Sequence, residues 1–217
     1  MTMIRKTSAR LFEDQKVPAV WDDENSKRWF SVVDIDETID GKSKSKAYAL
    51  FEHSLLDTIE TGTVNGLQHI HGHLFGGLYD FAGHIRTLNI AKGGFKFALA
   101  RFLPETLNCI EKMPENTFDE IVDKYVEMNV AHPFMEGNGR SSRIWLDQML
   151  KKNLSLCVDW QKIGKNDYLS AMNESIAHPG RLKILLQGAL TDKINDRDVF
   201  RKGIDQSYHY EQENDVS

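Results

Sequence analysis

The chain has 217 residues, of which 41% are hydrophobic and 27% charged, a composition that fits one globular domain with room for a small appendage. Its net charge of -5 argues against a surface for nucleic acid or anionic membranes, which needs clustered lysine and arginine. Its 2 cysteines cannot build a disulfide framework, and no apolar run approaches the roughly 20 residues that span a bilayer. Because the chain also opens without a secretory signal, we expect a cytoplasmic protein that contacts neither membrane nor nucleic acid directly.

The N-terminal segment, residues 1–44, differs in pattern from the rest of the chain. Residues that favour strands lie on both sides of the polar cluster DDENSK, at 17–21 and at 28–33. This arrangement predicts a short β-hairpin. Residues 40–46 are polar and predict a linker that leads into the remainder of the chain.

Helical periodicity begins near Ser45. Apolar residues then recur at helical spacing in a first stripe, formed by Ala47, Leu50, Phe51, Leu55 and Ile59, and in a second helix over 63–75. Next, the segments 85–90 and 95–98 predict two strands joined by a glycine turn. The unpaired edges of such a lone hairpin could accept an extended segment of a partner, but the pattern alone favours a hairpin that packs down as a cover.

The following helices carry stronger signals. Thr117 and Glu120 form a capping-box pattern, and the apolar stripe behind them predicts a helix that ends near Pro133. A buried helix is predicted over 141–152, and further helices over 168–172 and 182–190. The chain as a whole is therefore predicted to be mostly α, with two β-hairpins.

The connection between the two strongest helices carries a phosphate-binding pattern. Gly137, Asn138 and Gly139 lie just before a helix, where consecutive backbone N–H groups and the helix dipole can hold an anion. Arg140 and Arg143 are three residues apart, so they lie on one helix face and can both reach a polyphosphate held at the helix N-terminus. Together these residues predict a site for a polyphosphate.

Two further side chains complete the pattern. Glu136 lies immediately before the glycines, where a carboxylate next to phosphates is best explained by a Mg²⁺ ion between them. His132 can accept a proton near neutral pH, and Phe134 is expected to anchor the loop in the core. Each of these residues alone is more often structural, but their occurrence in one short segment favours a catalytic site.

The C-terminal tail predicts a helix from about Asn195. Its residues Phe200, Ile204, Ser207, Tyr208 and Glu211 share one face of that helix. Taken by itself, this pattern is more typical of a solvated terminal helix.

The segment HPFMEGNGRSSR, His132 to Arg143, resembles the active-site signature of Fic-domain proteins. The upstream run LQHIHGHLF, followed by Tyr79, Gly83 and Arg86, resembles the family's leading helix and the entry to its flap hairpin. The resemblance implies a Fic (Fido) helical bundle over 45–194 with a β-hairpin flap, which leaves the N-terminal hairpin outside it.

This resemblance implies protein adenylylation, in which AMP passes from ATP to a Tyr, Ser or Thr hydroxyl of a target protein. It implies that His132 deprotonates the hydroxyl, that Glu136 holds Mg²⁺, and that the loop Gly137, Asn138, Gly139 binds the phosphates with Arg140 and Arg143. Lys92, at the turn of the flap, is placed nearest the nucleotide or the target. Doc-type kinases carry a lysine where this chain has Gly139, which favours AMP transfer over phosphate transfer.

The tail resembles the inhibitory Ser/Thr-x-x-x-Glu motif of the short, single-domain class with a C-terminal inhibitory helix, typified by the Neisseria-type Fic proteins. Ser207 and Glu211 occupy the motif positions, and Gln212 departs from the usual residue after the glutamate. The resemblance implies an inhibitory helix over 195–217 in which Glu211 pairs with Arg143. Tyr208 and Tyr210 are candidate sites of self-modification once the helix is released.

The same resemblance implies partners. A bacterial adenylyltransferase of this class would bind a target protein through its flap, with type II topoisomerase subunits as one class of target, and would self-associate. The alternatives are a regulatory module that only senses nucleotide, and transfer of another phosphoryl-linked group by the same fold. The intact His132 favours an enzyme, because a pure nucleotide binder needs no base.

Overall fold

The computed structural model describes residues 38–91 and 95–212, together with the backbone of Lys92 and of the segments 19–21 and 29–31. The chain divides into two compact units, residues 1–45 and 46–217. In the first unit, β1 (Ala19–Trp21) pairs antiparallel with β2 (Trp29–Ser31), so the predicted N-terminal hairpin is confirmed.

The predicted linker over 40–46 is wrong, because these residues lie in helix α1 (Ile39–Glu52). Thr38 caps the helix by accepting the backbone N–H of Gly41 at 3.1 Å. The hydroxyl of Ser43 donates to the carbonyl of Asp40, so a polar side chain of this segment is satisfied by the helix backbone itself. The helix ends before Leu55, which lies in a short 3₁₀ helix (Leu55–Thr58) instead.

The remaining helices of the described residues follow in chain order. They are α2 (Val64–Phe75), α3 (Leu103–Glu111), α4 (Phe118–Ala131), α5 (Asn138–Leu154), α6 (Lys165–Ser175), α7 (Gly180–Gly188) and α8 (Arg197–Glu211). Two short antiparallel strand pairs lie among them, the hairpin of β3 (Ala91–Lys92) with β4 (Phe95–Lys96), and β5 (Cys157–Val158) with β6 (Leu190–Thr191), which are separated in the chain by α6 and α7. The mostly α prediction is confirmed.

The core of the second unit is centred on α5. This helix is buried around most of its circumference, and α2 and α4 pack against it. Ile70 and Leu74 of α2 and Tyr125 of α4 are buried in the same core. The capping box predicted at the start of α4 is present, since Thr117 and Glu120 exchange hydrogen bonds with each other's backbone N–H groups. The helix predicted over 141–152 is two or three residues longer at each end in the structure, a usual difference at helix termini.

The flap hairpin is shorter than predicted, because the segment 85–90 is irregular and only two residues on each side pair. Arg86 is buried and binds two carbonyls of the flap, those of Leu88 and Ala98, that a longer ladder could use. Its guanidinium donates to the carbonyls of His132, Leu88 and Ala98 at 2.6–2.7 Å. Its own backbone N–H donates to the carbonyl of Pro133. Arg86 therefore fastens the root of the flap to the end of α4.

Candidate active site

The loop between α4 and α5 reverses the chain with two left-handed residues. His132 ends α4 with φ 48°, and Gly137 begins α5 with φ 76°. A Cβ atom at Gly137 would lie 2.3 Å from Cε2 of Phe75, so only glycine fits this position. The side chain of Asn138 clamps the loop, accepting from Phe134 N and donating to Phe134 O, both at 2.8 Å.

The loop ends at the N-terminus of α5, where the first backbone N–H groups have no partner within the helix. Gly137, Asn138 and Gly139, predicted to hold phosphates, form this first turn and its cap. The helix dipole adds a partial positive charge at the same point. The arrangement is therefore suited to bind an anion.

His71 supports the loop from α2 and was not predicted as a site residue. Its ring stacks on Phe134 with centroids 3.8 Å apart. Its Nδ1 accepts from Gly83 N at 2.8 Å and its Nε2 donates to Glu136 O at 2.9 Å, an assignment that requires the neutral ring. Burial lowers the pKa of His71 to about 4. The only signal in the sequence is a histidine on the buried stripe of α2.

We expect the contribution of His71 to stability to fall as the pH drops from 6.5 to 4. In that range the imidazole of His71 becomes protonated in the unfolded chain but stays neutral in the folded chain. Relative to His71→Gln, the free energy of unfolding should decrease by about 2 kcal/mol over this window, as measured by urea denaturation. Substitution of the exposed His178 provides the control, and parallel curves for wild type and His71→Gln would contradict the prediction.

His132 lies on the flap side of the loop. Its ring stacks on Phe97, which follows β4, with centroids 3.7 Å apart and the planes at 15°. Its Nδ1 lies 3.2 Å from the carbonyl of Asn129. In the tautomer in which Nδ1–H donates to this carbonyl, Nε2 carries the lone pair and can accept a proton. The side chain is thus oriented by an aromatic contact and by a backbone carbonyl.

Glu136 and Arg140 lie side by side at the start of α5. Oε1 of Glu136 accepts from Gly137 N at 2.9 Å and from Arg140 Nη2 at 3.0 Å. The guanidinium of Arg140 is buried between the rings of Phe75 and Tyr208, 4.9 and 5.2 Å from their centroids. Arg140 is thereby held with its charge directed at the loop.

A Mg²⁺ ion fits the side chain of Glu136. This carboxylate is 49% exposed and lies beside the anion-binding turn. Within the described part of the chain, no cluster of three or more His, Cys, Asp or Glu side chains forms a metal site. A single carboxylate is what Mg²⁺ uses when phosphates and water supply its other ligands.

Arg143 is buried in α5 and holds the C-terminal helix. Its Nε and Nη2 donate to the hydroxyl and the carbonyl of Ser207, at 2.7 and 2.9 Å, and Nη2 also donates to Glu211 Oε1 at 2.7 Å. Burial by itself would lower the pKa of Arg143, but interactions with Tyr168 and Glu211 outweigh it and keep the pKa above its ordinary value. The ion pair that the resemblance implied is therefore formed.

Glu211 also lies over the anion-binding turn. A Cβ atom added to Gly139 would lie 2.3 Å from Glu211 Oε1. The carboxylate consequently occupies the space next to the first turn of α5, where a phosphate would approach both Gly139 and Arg143.

Other contacts hold α8 in place. The hydroxyl of Tyr210 donates to Ile163 O at 2.8 Å, and its ring stacks on Tyr168 with centroids 4.5 Å apart. Tyr208 and Tyr210 are both buried, so self-modification of either one, which stays a prediction, requires α8 to move. For Lys92 the structure gives only the backbone, in β3, and its side chain lies outside the described residues.

Comparison with known proteins identifies the family. The sequence profile of the Fic/DOC family matches residues 62–150. A Salmonella typhimurium protein named "Probable protein adenylyltransferase Fic" is 30% identical over 178 residues, which cover 74% of this chain and 82% of that protein. The chain belongs to the Fic/DOC family.

Other relatives agree with this assignment. Protein adenylyltransferase VbhT of Bartonella schoenbuchensis is 28% identical over 64% of this chain, which spans only 32% of the length of VbhT. Because several curated Fic relatives are named protein adenylyltransferases, the enzyme class predicted from the motif is confirmed at the level of the family.

Solved structures support the Fic fold. The Fic domain of Bep8 from Bartonella sp. 1-1C matches 86% of this chain and 97% of its own with a TM-score of 0.63 at 14% identity. BepC from Bartonella tribocorum, solved with AMPPNP bound, matches 70% of this chain and 84% of its own with a TM-score of 0.59 at 18% identity. The predicted Fic bundle is therefore confirmed. In the part of the chain that the structure covers, no helix is both long and apolar enough to cross a bilayer.

Proposed function

We propose that this chain transfers AMP from ATP to a Tyr, Ser or Thr hydroxyl of a target protein, and that α8 holds it in an inhibited state. The observation that carries the proposal is the arrangement of one loop, in which His132 precedes the anion-binding turn while Arg140 and Arg143 follow it on α5. A nucleotide sensor without activity would need the turn and the arginines but not an oriented histidine. The names of the relatives support the same activity.

The proposed reaction is an attack of the target hydroxyl on the α-phosphorus of ATP. Nε2 of His132 takes the hydroxyl proton, a new P–O bond forms, and the bond to the β-phosphate breaks to release pyrophosphate. The N–H groups of the first turn of α5 and the buried Arg140 and Arg143 neutralise the phosphate charges. Mg²⁺, when held by Glu136, would supply further neutralisation. Most of the catalysis is thus positioning and charge compensation.

The proposed inhibition follows from competition for Arg143. A triphosphate in the transfer-competent pose needs the charge of Arg143, which in the docked arrangement is neutralised by Glu211 at 2.7 Å. The carboxylate over Gly139 also repels a phosphate at that position. ATP and docked α8 therefore exclude each other at the distal phosphates.

We further propose that the target binds through the flap. Among the described strands, β3 and β4 pair only with each other, so each has an outer edge to which a strand could be added. Leu88, at the root of the flap, is 62% exposed and gives such a segment an apolar contact. The target class, for which type II topoisomerase subunits were predicted, self-association and a cytoplasmic location all stay predictions.

The decisive experiment uses ATP labelled in either phosphate. The Glu211→Gly protein, which lacks the proposed inhibitory carboxylate, is incubated with bacterial lysate and α- or γ-labelled ATP. Label on protein from the α position alone supports AMP transfer, whereas label from the γ position alone would show phosphoryl transfer instead. No protein labelling from either nucleotide would reject the enzyme and favour a nucleotide-sensing module.

A further inference from the structure

The guanidinium of Arg143 donates four hydrogen bonds to the described residues, and three of them end on α8. Nε and Nη2 donate to Ser207, and Nη2 also donates to Glu211. The fourth bond runs from Nη1 to the hydroxyl of Tyr168 on α6, at 3.3 Å. Tyr168 is therefore the hydrogen-bonding partner that Arg143 keeps when the contacts to α8 are lost.

Tyr168 is itself held by residues outside α8. It is 2% exposed, and its hydroxyl oxygen lies 2.6 Å from that of Tyr125 on α4. Its ring meets the ring of Trp160 edge-on, at 89° and with centroids 5.7 Å apart. Trp160 in turn is fixed by the hydrogen bond from its Nε1 to Asp147 on α5, at 2.8 Å. Because none of these partners belongs to α8, displacement of α8 does not remove them.

The face of the Tyr168 ring has a different role from the hydroxyl. It stacks on Tyr210 of α8, with centroids 4.5 Å apart and the planes at 16°. The guanidinium carbon of Arg143 lies 5.4 Å from the centroid of Tyr168 and 5.2 Å from that of Tyr210. The ring thus supports docked α8, whereas the hydroxyl serves Arg143. A substitution that removes only the hydroxyl separates the two roles.

The position of the Arg143 guanidinium matters because it borders the anion-binding turn. A Cβ atom added to Gly139 would lie 3.0 Å from Nη1 and 3.3 Å from Nη2 of Arg143. An arginine without a fixed partner samples many rotamers, and a ligand that binds it must offset the entropy of fixing one of them. A hydrogen bond that already holds Nη1 lowers this cost and leaves Nη2 available for a phosphate.

We propose that Tyr168 is a positioning residue for the triphosphate, and that its hydroxyl keeps Arg143 beside the anion-binding turn once α8 is displaced. Tyr168 then contributes to both arrangements through different atoms, to docked α8 through its ring and to the nucleotide-binding arrangement through its hydroxyl. This inference rests on the proposed function for the assignment of the distal phosphates to Arg143. Its test measures binding and requires no AMP transfer.

The hydroxyl is tested in the Glu211→Gly chain, in which α8 lacks the carboxylate that competes with the phosphates. By isothermal titration calorimetry in the presence of Mg²⁺, we expect Tyr168→Phe to raise the Kd of AMPPNP about 5- to 10-fold, the effect of one orienting hydrogen bond. The Kd of AMP, which lacks the distal phosphates, should stay within about twofold. An unchanged Kd of AMPPNP would overturn the proposal, and so would an equal loss of affinity for AMP, which would indicate a loosened fold.

Tyr125→Phe is the matched control. It removes the same hydrogen bond between the two tyrosines but leaves the Tyr168 hydroxyl to accept from Arg143, so the Kd of AMPPNP should stay within about twofold. A loss as large as that of Tyr168→Phe would assign the effect to the tyrosine pair and overturn the proposal. Because Tyr168→Phe leaves the buried hydroxyl of Tyr125 without this partner, the double variant is measured as well and should show the same loss as Tyr168→Phe.

A double-mutant cycle tests whether Tyr168 acts through Arg143. In an Arg143→Gln background, Tyr168→Phe should cause no further loss of affinity for AMPPNP, because the guanidinium that the hydroxyl orients is absent. A loss of about 5- to 10-fold in that background would mean that Tyr168 acts on the nucleotide by another route, and would overturn the positioning role.

Single-turnover kinetics with α-labelled ATP separate this inference from the proposed function. Tyr168→Phe should raise the ATP concentration at half-maximal rate about 5- to 10-fold and leave the rate at saturation unchanged, because the base is untouched. The expected losses of AMPPNP affinity without any AMP transfer would refute the proposed function alone. Normal transfer that is insensitive to loss of the hydroxyl would overturn the positioning role alone, and no binding of AMPPNP to the Glu211→Gly chain would overturn both.

Discussion

Glu211→Gly should raise AMP transfer and self-labelling with α-labelled ATP by about 10- to 100-fold. The substitution removes the charged partner of Arg143 at 2.7 Å and clears the space over Gly139. A hydrogen bond to a charged group contributes about 1.5–3 kcal/mol, and each 1.4 kcal/mol shifts an equilibrium about tenfold. The gain should appear mainly at low ATP concentration, because the variant lacks the carboxylate that competes with the distal phosphates of ATP for Arg143.

The control for this result is a glycine elsewhere in the last turn of α8. His209 is exposed, so His209→Gly loosens the helix to a similar extent but keeps the carboxylate. It should stay within about threefold of wild type. If His209→Gly activates as strongly as Glu211→Gly, fraying of α8 is the cause, and if neither activates, the inhibitory role of Glu211 is refuted.

Loss of the proposed base should have the largest effect of any single substitution. In the Glu211→Gly background, we expect His132→Ala to lower the rate of AMP transfer by about 10²- to 10⁴-fold, the usual contribution of a general base. The affinity for ATP should change little, because the proposed mechanism assigns the phosphates to Arg140, Arg143 and the first turn of α5. Rate and affinity are measured by single-turnover kinetics with α-labelled ATP.

The backbone at His132 calls for a second variant. Its φ of 48° is left-handed, a conformation that asparagine tolerates better than alanine. His132→Asn should therefore fold as well as wild type while still lacking the base, and its activity should be as low as that of the alanine variant. The exposed His69 supplies the control, since His69→Ala should keep the parent rate. Normal AMP transfer by a folded His132→Asn protein would remove His132 from the mechanism.

The helices with local signals were predictable from the sequence. Thr117 and Glu120 marked the start of α4, and the apolar stripe behind them gave its course, since both signals act between residues that are close in sequence. The linker prediction over 40–46 failed although the deciding contacts are also local. The polar residues suggested a loop, but Thr38 caps the start of α1 and the hydroxyls of Ser43 and Ser45 bond to carbonyls within the helix, so residues 40–46 are part of α1.

The strand prediction over 85–90 failed because the deciding contact is distant in sequence. The β-forming residues of this segment favour a strand, but Arg86 binds backbone carbonyls at the end of α4. No pattern within the segment records these partners, because they depend on how the flap root meets α4. His71 was missed as a support of the loop between α4 and α5 for the same reason, since its partners Gly83 and Glu136 lie far from it in sequence.

The sequence by itself determined which candidate groups converge between His132 and Arg143, because the proposed base, the carboxylate, the glycines and the arginines are neighbours along the chain and need only a turn and a helix start to meet. Only the tertiary structure decided the state of Arg143. Its contacts with Ser207 and Glu211 join residues far apart in sequence, and they require α8 to pack against α5. The hydrogen bond from Arg143 to Tyr168 has the same origin, since it exists only where α6 meets α5.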